Sequence, residues 1–365
     1  MTEREAYVAF NLTDRIGSVK LGQLVAECGS AVAAWERLPA KSSRSGGDID
    51  WDAEFAKAAK YGVEIVTPVD PGYPRRLLDA PGHPLALYVK GEVAALDRSA
   101  VAIVGTRRAT PYGRDQAFAI AKDLAADGWS VVSGLALGID AEAHRGALAA
   151  GGTTVGVIGS GLDRFYPEEN RALAREIVAK GGAVVSEFPF GREPDTQTFP
   201  QRNHVVAALA SGVLAVEAPL KSGTLITTGI AADLGRVVMA LPGRVDSRSS
   251  QGCLALLRDG ARLVRDARDI EEELSPVAAP ARVRGRSAAE GTLAAAAAAD
   301  APRPSFSVEE AMVMKFVDLE GVSMDELVRR TKLPAAKVNS LCMALRLKGR
   351  VRFFPGNRVA LPRAE

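Results

Sequence analysis

Cysteine is scarce in this chain of 365 residues: Cys28, Cys253 and Cys342 are odd in number and far apart. Such a set makes neither a zinc ligand cluster nor a disulfide framework, and it points to a reducing compartment. Aromatic residues contribute only 5%. No run of ~18 apolar residues occurs, and the start, Met-Thr-Glu-Arg-Glu, has no basic segment leading into an apolar one. The expectation is a cytoplasmic protein with neither secretion signal nor membrane span. Charge of one sign is missing too, because 46 Lys and Arg stand against 44 Asp and Glu, a net charge of +2. Overall basicity therefore advertises no nucleic-acid partner, and any such partner must be argued from local patches. What the chain has is bulk. Hydrophobic residues at 47% and charged residues at 25% suit a folded core and exclude wholesale disorder or a fibre. At ~150 residues per domain, more than one domain is expected.

The sharpest change of composition is at 275–304, where Pro, Ala, Gly and Arg replace periodic structure and Ala294–Ala299 is a homopolymer. This reads as a disordered linker. Pro68, Pro71, Gly72 and Pro74 mark an earlier boundary. The expected organisation is a helical domain at 1–66, an α/β domain at 67–274, the linker, and a small module at 305–365. In the α/β part, Ala100–Val104, Ser130–Ser133, Thr153–Ile158, Ala183–Ser186, Val213–Val216 and Val237–Leu241 are apolar runs flanked by glycine, with amphipathic stretches between them. Apolar strands alternating with helices predict a doubly wound parallel sheet covered on both faces. Before it, Arg4–Leu12, Val19–Cys28 and Ala31–Leu38 read as short helices, and Lys41–Asp50 as an exposed loop. The string from Arg15 to Gly22 is open to two readings, a helix-hairpin-helix phosphate contact or plain helical packing. After the linker, helices at Val308–Leu319, Ser323–Thr331 and Pro334–Leu347 precede two β runs around Pro355-Gly356-Asn357, which is the layout of a winged helix. Ser323 with Glu326 reads as a capping box.

In open parallel sheets ligands sit beyond the carboxyl ends of the strands. The loops there are Gly105-Thr106-Arg107-Arg108, Ser133-Gly134, Gly159-Ser160-Gly161, Lys221-Ser222-Gly223-Thr224 and Pro242-Gly243-Arg244. Glycines permit close approach of backbone amides, and hydroxyls and cations suit phosphate. Familiar nucleotide fingerprints are absent. Lys221 precedes Ser-Gly in the wrong order for a Walker loop, and Gly159-Ser-Gly161 lacks the third glycine of a dinucleotide site. Neither ATP nor a nicotinamide cofactor is expected. Asp140, Glu142 and His144 are close enough to suggest a metal, but Asp140 is better read as a helix N-cap, so no metal is expected. Glu187 and Glu217 end strands as lone carboxylates.

The strings Ala102-Ile-Val-Gly-Thr-Arg, Val132-Ser-Gly-Leu-Ala-Leu-Gly-Ile-Asp-Ala-Glu-Ala-His-Arg-Gly, Gly159-Ser-Gly-Leu-Asp with Tyr166-Pro, Ser186-Glu-Phe-Pro, Phe199-Pro-Gln-Arg-Asn, Ser222-Gly-Thr-Leu-Ile-Thr and Leu241-Pro-Gly occur in this order. Together they resemble the DNA-processing protein A (DprA, or Smf) family, from about Tyr73 to Ile270. The resemblance implies an extended Rossmann-like core flanked by a helical domain (SAM or helix-hairpin-helix-like) and a winged helix. It also implies a non-enzymatic, homodimeric protein that binds single-stranded DNA, protects incoming strands in natural transformation and promotes loading of the RecA recombinase.

By position, the resemblance makes Arg107 the pocket arginine, beside Gly105 and Thr106, and makes Ser133-Gly134 an amide platform. Ser160, Gly161, Lys221, Ser222, Gly223 and Thr224 complete a phosphate cradle. Phe199, Arg202 and Asn203 form its rim, with Phe199 able to stack on a base. His204 stands where the family usually has arginine, which removes one cation at pH 7. The loops also resemble, more distantly, Rossmann-like nucleoside-monophosphate hydrolases, and that alternative would use Glu217 as catalytic acid. In the C-terminal module every charged residue from Arg329 to Arg363 is basic. Lys337, Arg350, Arg352 and Arg358 are the candidates for a duplex DNA contact through the third helix and wing.

Overall fold

The computed structural model describes residues 1–13, 16–38, 49–278, 307–318, 321–348, 350–354 and 357–361. These fall into two compact units, one containing nearly everything up to Ala278 and the other everything from Ser307 together with Thr110–Asp115. The expected linker therefore lies outside the described residues from 279 onward. Its first part, from Ser275, closes the helix Ala267–Ala278.

Nine strands form the sheet of the larger unit: β1 (Glu64–Val66), β2 (Leu87–Gly91), β3 (Ala100–Val104), β4 (Ser130–Ser133), β5 (Thr154–Val157), β6 (Ala183–Ser186), β7 (Gly212–Ala215), β8 (Val237–Ala240) and β9 (Arg262–Leu263). Their spatial order is β1-β2-β6-β5-β4-β3-β7-β8-β9. From β6 to β9 every pairing is parallel, whereas β2 joins β6 and β1 joins β2 antiparallel. The six apolar runs are the six inner strands β3 to β8. Those of β3 to β7 are buried at every position, as a sheet with helices on both faces requires. Register follows the same logic. Val101 of β3 lies opposite Val131 of β4 on one side and Gly212 of β7 on the other.

The N-terminal helices are Glu3–Leu12, Ser18–Cys28, Ala31–Arg37 and Trp51–Tyr61. Phe10, Trp35 and Trp51 interlock edge to face, with centroids 5.2 and 6.1 Å apart. Residues 1–66 are not helical throughout, because Glu64–Val66 is the outermost strand of the sheet. The buried Val8 of the first helix packs with Ile65, Ala86 and Tyr88, so this layer rests on the β1–β2 edge. Of the string between Arg15 and Gly22, Arg15 lies outside the described residues. Gly17 is an extended N-cap, and Gly22 sits within a helix.

The smaller unit carries helices Val308–Met314, Met324–Thr331 and Ala335–Leu347, with a three-stranded antiparallel sheet of β10 (Val322–Ser323), β11 (Arg352–Phe354) and β12 (Arg358–Ala360). This is a winged helix around Val313, Leu327, Val338, Cys342, Leu345 and Val359. Of the turn Pro355-Gly356-Asn357, the first two residues lie outside the described set. The capping box is at Ser307 and Glu310. At Ser323 only half of it forms, because the hydroxyl accepts from the Glu326 amide while the Glu326 carboxylate turns to Arg329 and Arg330.

Candidate functional site

From β3 the chain steps outward through β4 and β5 to β6, then returns to place β7 on the other side of β3. The loops leaving β3 and β7 diverge at this reversal and open a crevice beyond the strand ends. A cavity of about 370 Å³ fills it. Its walls come from four stretches: Val104–Arg108 after β3, residues between Gly134 and Asp140 after β4, residues between Phe199 and Val206 on the helix Thr198–Leu209, and residues between Pro219 and Thr227 after β7.

Gly105, Thr106, Arg107, Gly134, Phe199, Arg202, Asn203, Lys221, Ser222, Gly223 and Thr224 all line this cavity. Ser133, Ser160 and Gly161 do not. The Ser133 hydroxyl is buried and donates to the Ile103 carbonyl at 2.6 Å. The Ser160 hydroxyl donates to the Arg164 carbonyl at 2.7 Å, and the Gly161 amide to that of Arg192 at 2.8 Å. Ser133 thus ties β4 to β3, Ser160 closes its own loop, and Gly161 ties that loop to the one after β6.

The wall after β7 is the amino end of the helix Gly223–Asp233. Its N-cap, Ser222, makes no side-chain cap, and its buried hydroxyl has no partner. Unsatisfied amides, the positive end of the helix dipole and a spare hydroxyl together make an anion seat. Arg107, Arg108 and Lys221 are exposed on the walls, and no carboxylate pairs with them among the described residues.

The floor is a buried ion pair that the sequence did not reveal. Arg202, expected on the rim, is 7% exposed, and Asp140 is 6% exposed. Arg202 Nη1 is 4.0 Å from Asp140 Oδ2 and 3.3 Å from the Val157 carbonyl oxygen, and its Nε is buried without a partner. Asp140 is not the N-cap; Gly138 is, at φ +83°. The Asp140 carboxylate instead reaches back to accept the amides of Gly134 and Ala136 at 3.2 and 3.3 Å. Burial pushes the Asp140 carboxyl upward, and Arg202 and the two amides pull it back toward the charged form. A Cβ at 134 would lie 1.4 Å from Arg202 Nη1, so any side chain there must displace the guanidinium.

Neighbouring titratable groups are committed elsewhere. His144 Nδ1 is 2.7 Å from the Thr154 hydroxyl, whose own proton goes to the Val131 carbonyl, so Nδ1 carries the hydrogen and donates. Nε2 is buried with no partner, and burial pushes the imidazole down to about 3. Among the described residues no group of three or more potential ligands could hold a metal ion. Glu217, the acid of the hydrolase alternative, does not line the cavity; its carboxylate is 3.4 Å from the Ser249 hydroxyl. Glu187 does not line it either. His204, kept neutral by burial, donates from Nε2 to the Pro81 carbonyl at 2.9 Å. Phe199 is half-buried, with the Arg107 guanidinium 5.0 Å over its ring and the Tyr166 ring 6.2 Å away.

Residues 64–275 match the family model described as DNA recombination-mediator protein A. The chain belongs to this family. Residues 294–357 match the DprA winged helix domain. The Smf protein of Synechocystis is 34% identical over 316 residues, covering 81% of this chain and 79% of its own length, and that of Escherichia coli is 35% identical over 300, covering 80% and 76%. The crystal structure of DNA processing protein A from Streptococcus pneumoniae superposes with a TM-score of 0.62 at 32% identity, covering 75% of this chain and 98% of that one. A Helicobacter pylori DprA structure, described for its single-stranded DNA binding mode, gives 0.53 at 31% identity, covering 59% and 96%.

In this DprA-family chain the winged-helix cations are largely engaged. Lys337 pairs with Glu309 at 2.9 Å, and Arg358 donates to the Gly321 carbonyl. Lys348, another cation of the basic run, holds Glu310 at 2.6 Å. The Arg352 guanidinium pairs with Asp115 at 3.3 Å and lies 5.5 Å over Phe354, and Arg350 is half-buried. The basic run is thus partly neutralised by the acidic first helix of its own unit.

Proposed function

We propose that this protein is a single-strand DNA-binding recombination mediator, which protects incoming strands in natural transformation and promotes loading of RecA. The observation that carries the reading is the cavity itself. Three cations without carboxylate partners, a helix amino end and an unpartnered Ser222 hydroxyl all line that one space. Amides, hydroxyls and cations read phosphate, and phosphate contacts carry no sequence information, so binding should be indifferent to sequence. The Helicobacter pylori relative, described as binding single-stranded DNA, supports the same reading. The protein works as a cytoplasmic homodimer without catalysis, and its winged helix adds a duplex contact through Lys337, Arg350, Arg352 and Arg358.

The test is a titration of the full chain with single strands of increasing length, with a mononucleotide as control. Affinity that grows with length supports the reading. A mononucleotide that binds as tightly as a long strand and is hydrolysed would replace it with the enzyme alternative. Mediator action is checked separately, by whether the chain speeds RecA assembly on single strands.

A further inference from the structure

Beside the cavity is a small recess whose own lining is Leu137, Gly159, Tyr166 and Pro167, and which shares Arg107, Gly134, Ala136, Phe199 and Arg202 with the cavity. It holds about 30 Å³, the share of one water molecule in the liquid. A nucleobase cannot enter it. Its mouth, however, is an apolar shelf: Tyr166 is 47% exposed and Leu137 39%. A phenol ring retained only for packing would be buried, or its hydroxyl would be bonded. This one is open, and among the described residues its hydroxyl has no partner.

The shelf is also held rigidly. Asn170, itself buried, donates from Nδ2 to the carbonyls of Leu135 at 2.8 Å and Ala136 at 3.1 Å. This ties the segment carrying Tyr166 to the loop carrying Leu137. A stacking surface fixed in advance loses little freedom when a base lands on it. Phe199, the aromatic that the sequence suggested for this role, has the Arg107 guanidinium over its ring and Tyr166 alongside. It lines both the cavity and the recess, with one ring face engaged by Arg107.

We propose that Tyr166, flanked by Leu137, is a nucleobase-stacking platform adjoining the phosphate cavity. The proposal rests on the reading of that cavity as a seat for single-stranded DNA. A nucleotide whose phosphate sits at Arg107 then lays its base across Tyr166 from outside the recess. Contact is through the ring face, so any base is accepted.

The experiment compares the full-length protein and its Tyr166→Ala, Tyr166→Phe and Arg107→Ala variants, each titrated with oligo-dT and with an abasic deoxyribose-phosphate strand of equal length. Removing a base–aromatic stack should cost about tenfold in affinity for oligo-dT, well beyond any loss on the abasic strand. Tyr166→Phe should restore most of it. The log–log salt slope should be the same for Tyr166→Ala as for the parent. Equal losses of Tyr166→Ala on both strands, or none on either, would overturn the platform. Arg107→Ala separates the two readings. If it lowers the salt slope while Tyr166→Ala leaves oligo-dT affinity intact, the platform alone falls. If it leaves the slope unchanged, the cavity reading falls and the platform with it.

Discussion

Substituting Gly134 by alanine should disable the cavity more than it destabilises the fold. The added Cβ would lie 1.4 Å from Arg202 Nη1 and 2.7 Å from Asp140 Oδ2, against the ~3.5–4.0 Å of a normal carbon contact. Gly134 cannot retreat cheaply, since its amide donates to Asp140. The guanidinium can move, and the open side is the cavity. Removing one partner of a buried ion pair costs ~3–5 kcal/mol. Here Arg202 regains water, and Asp140 keeps two amide donors and can take up a proton. The cost should therefore be nearer the ~1–3 kcal/mol of an overpacked core, within the 5–15 kcal/mol of a typical fold. The displaced guanidinium would occupy the phosphate seat, and single-strand affinity should fall by tenfold or more.

The assay is a double-mutant cycle of Gly134→Ala and Arg202→Ala, followed by urea unfolding and by anisotropy with an oligonucleotide. With Arg202 already truncated, the new methyl meets only the Asp140 oxygen, so Gly134→Ala should cost less stability there than in the parent. Strict additivity would refute the argument, because the clash would then not run through Arg202.

The remaining predictions concern charge and protonation. Arg107→Ala and Lys221→Ala should each flatten the log–log salt dependence of single-strand binding by ~0.7, the share of one phosphate contact; an unchanged slope in a folded variant would move that residue out of the site. Arg350→Ala with Arg352→Ala should weaken duplex binding at low salt, and equal duplex affinities of parent and variant would leave the winged helix without a DNA role. His144 is held neutral in the folded chain, with its pKa pushed down to about 3, while the unfolded imidazole titrates near ~6.5. Its contribution to stability is present above that value and is lost as pH falls toward 3, at about 1.4 kcal/mol per pH unit. His144→Gln should remove that component from urea midpoints measured at pH 7, 6 and 5, and parallel profiles would refute it.

The six inner strands were legible because burial on both faces demands continuous apolar runs, and glycines bound each of them. The strands β1, β2 and β9 were not. Glu64–Val66 is three residues long and Arg262–Leu263 only two, and Leu87-Tyr-Val-Lys-Gly, after Pro81 and Pro84, is buried only over its first three residues and ends in an exposed Lys90 and Gly91. Within the site, local chemistry could be read wherever a loop's own residues serve the cavity, as at Gly105–Arg107 and Lys221–Thr224. Ser133 and Ser160 do not reach the cavity, because their hydroxyls bond to backbone carbonyls of β3 and of the Ser160 loop. The Asp140–Arg202 floor was hidden for a different reason: its partners belong to different helices, and only the close approach at Gly134 brings them together.

The four-segment construction of the cavity has a kinetic and thermodynamic consequence. Its walls begin at Val104 and end at Thr227, and they meet only after β7 has inserted beside β3. A partly folded chain has no site, so an anionic ligand seated there binds the native state alone. Ligand at a hundredfold excess over its Kd then adds ~2.7 kcal/mol to global stability. Because that insertion is the longest-range contact of the sheet's centre, the same ligand should protect the chain against proteases that act through its opening, and a strand in transit would prolong the life of its own carrier.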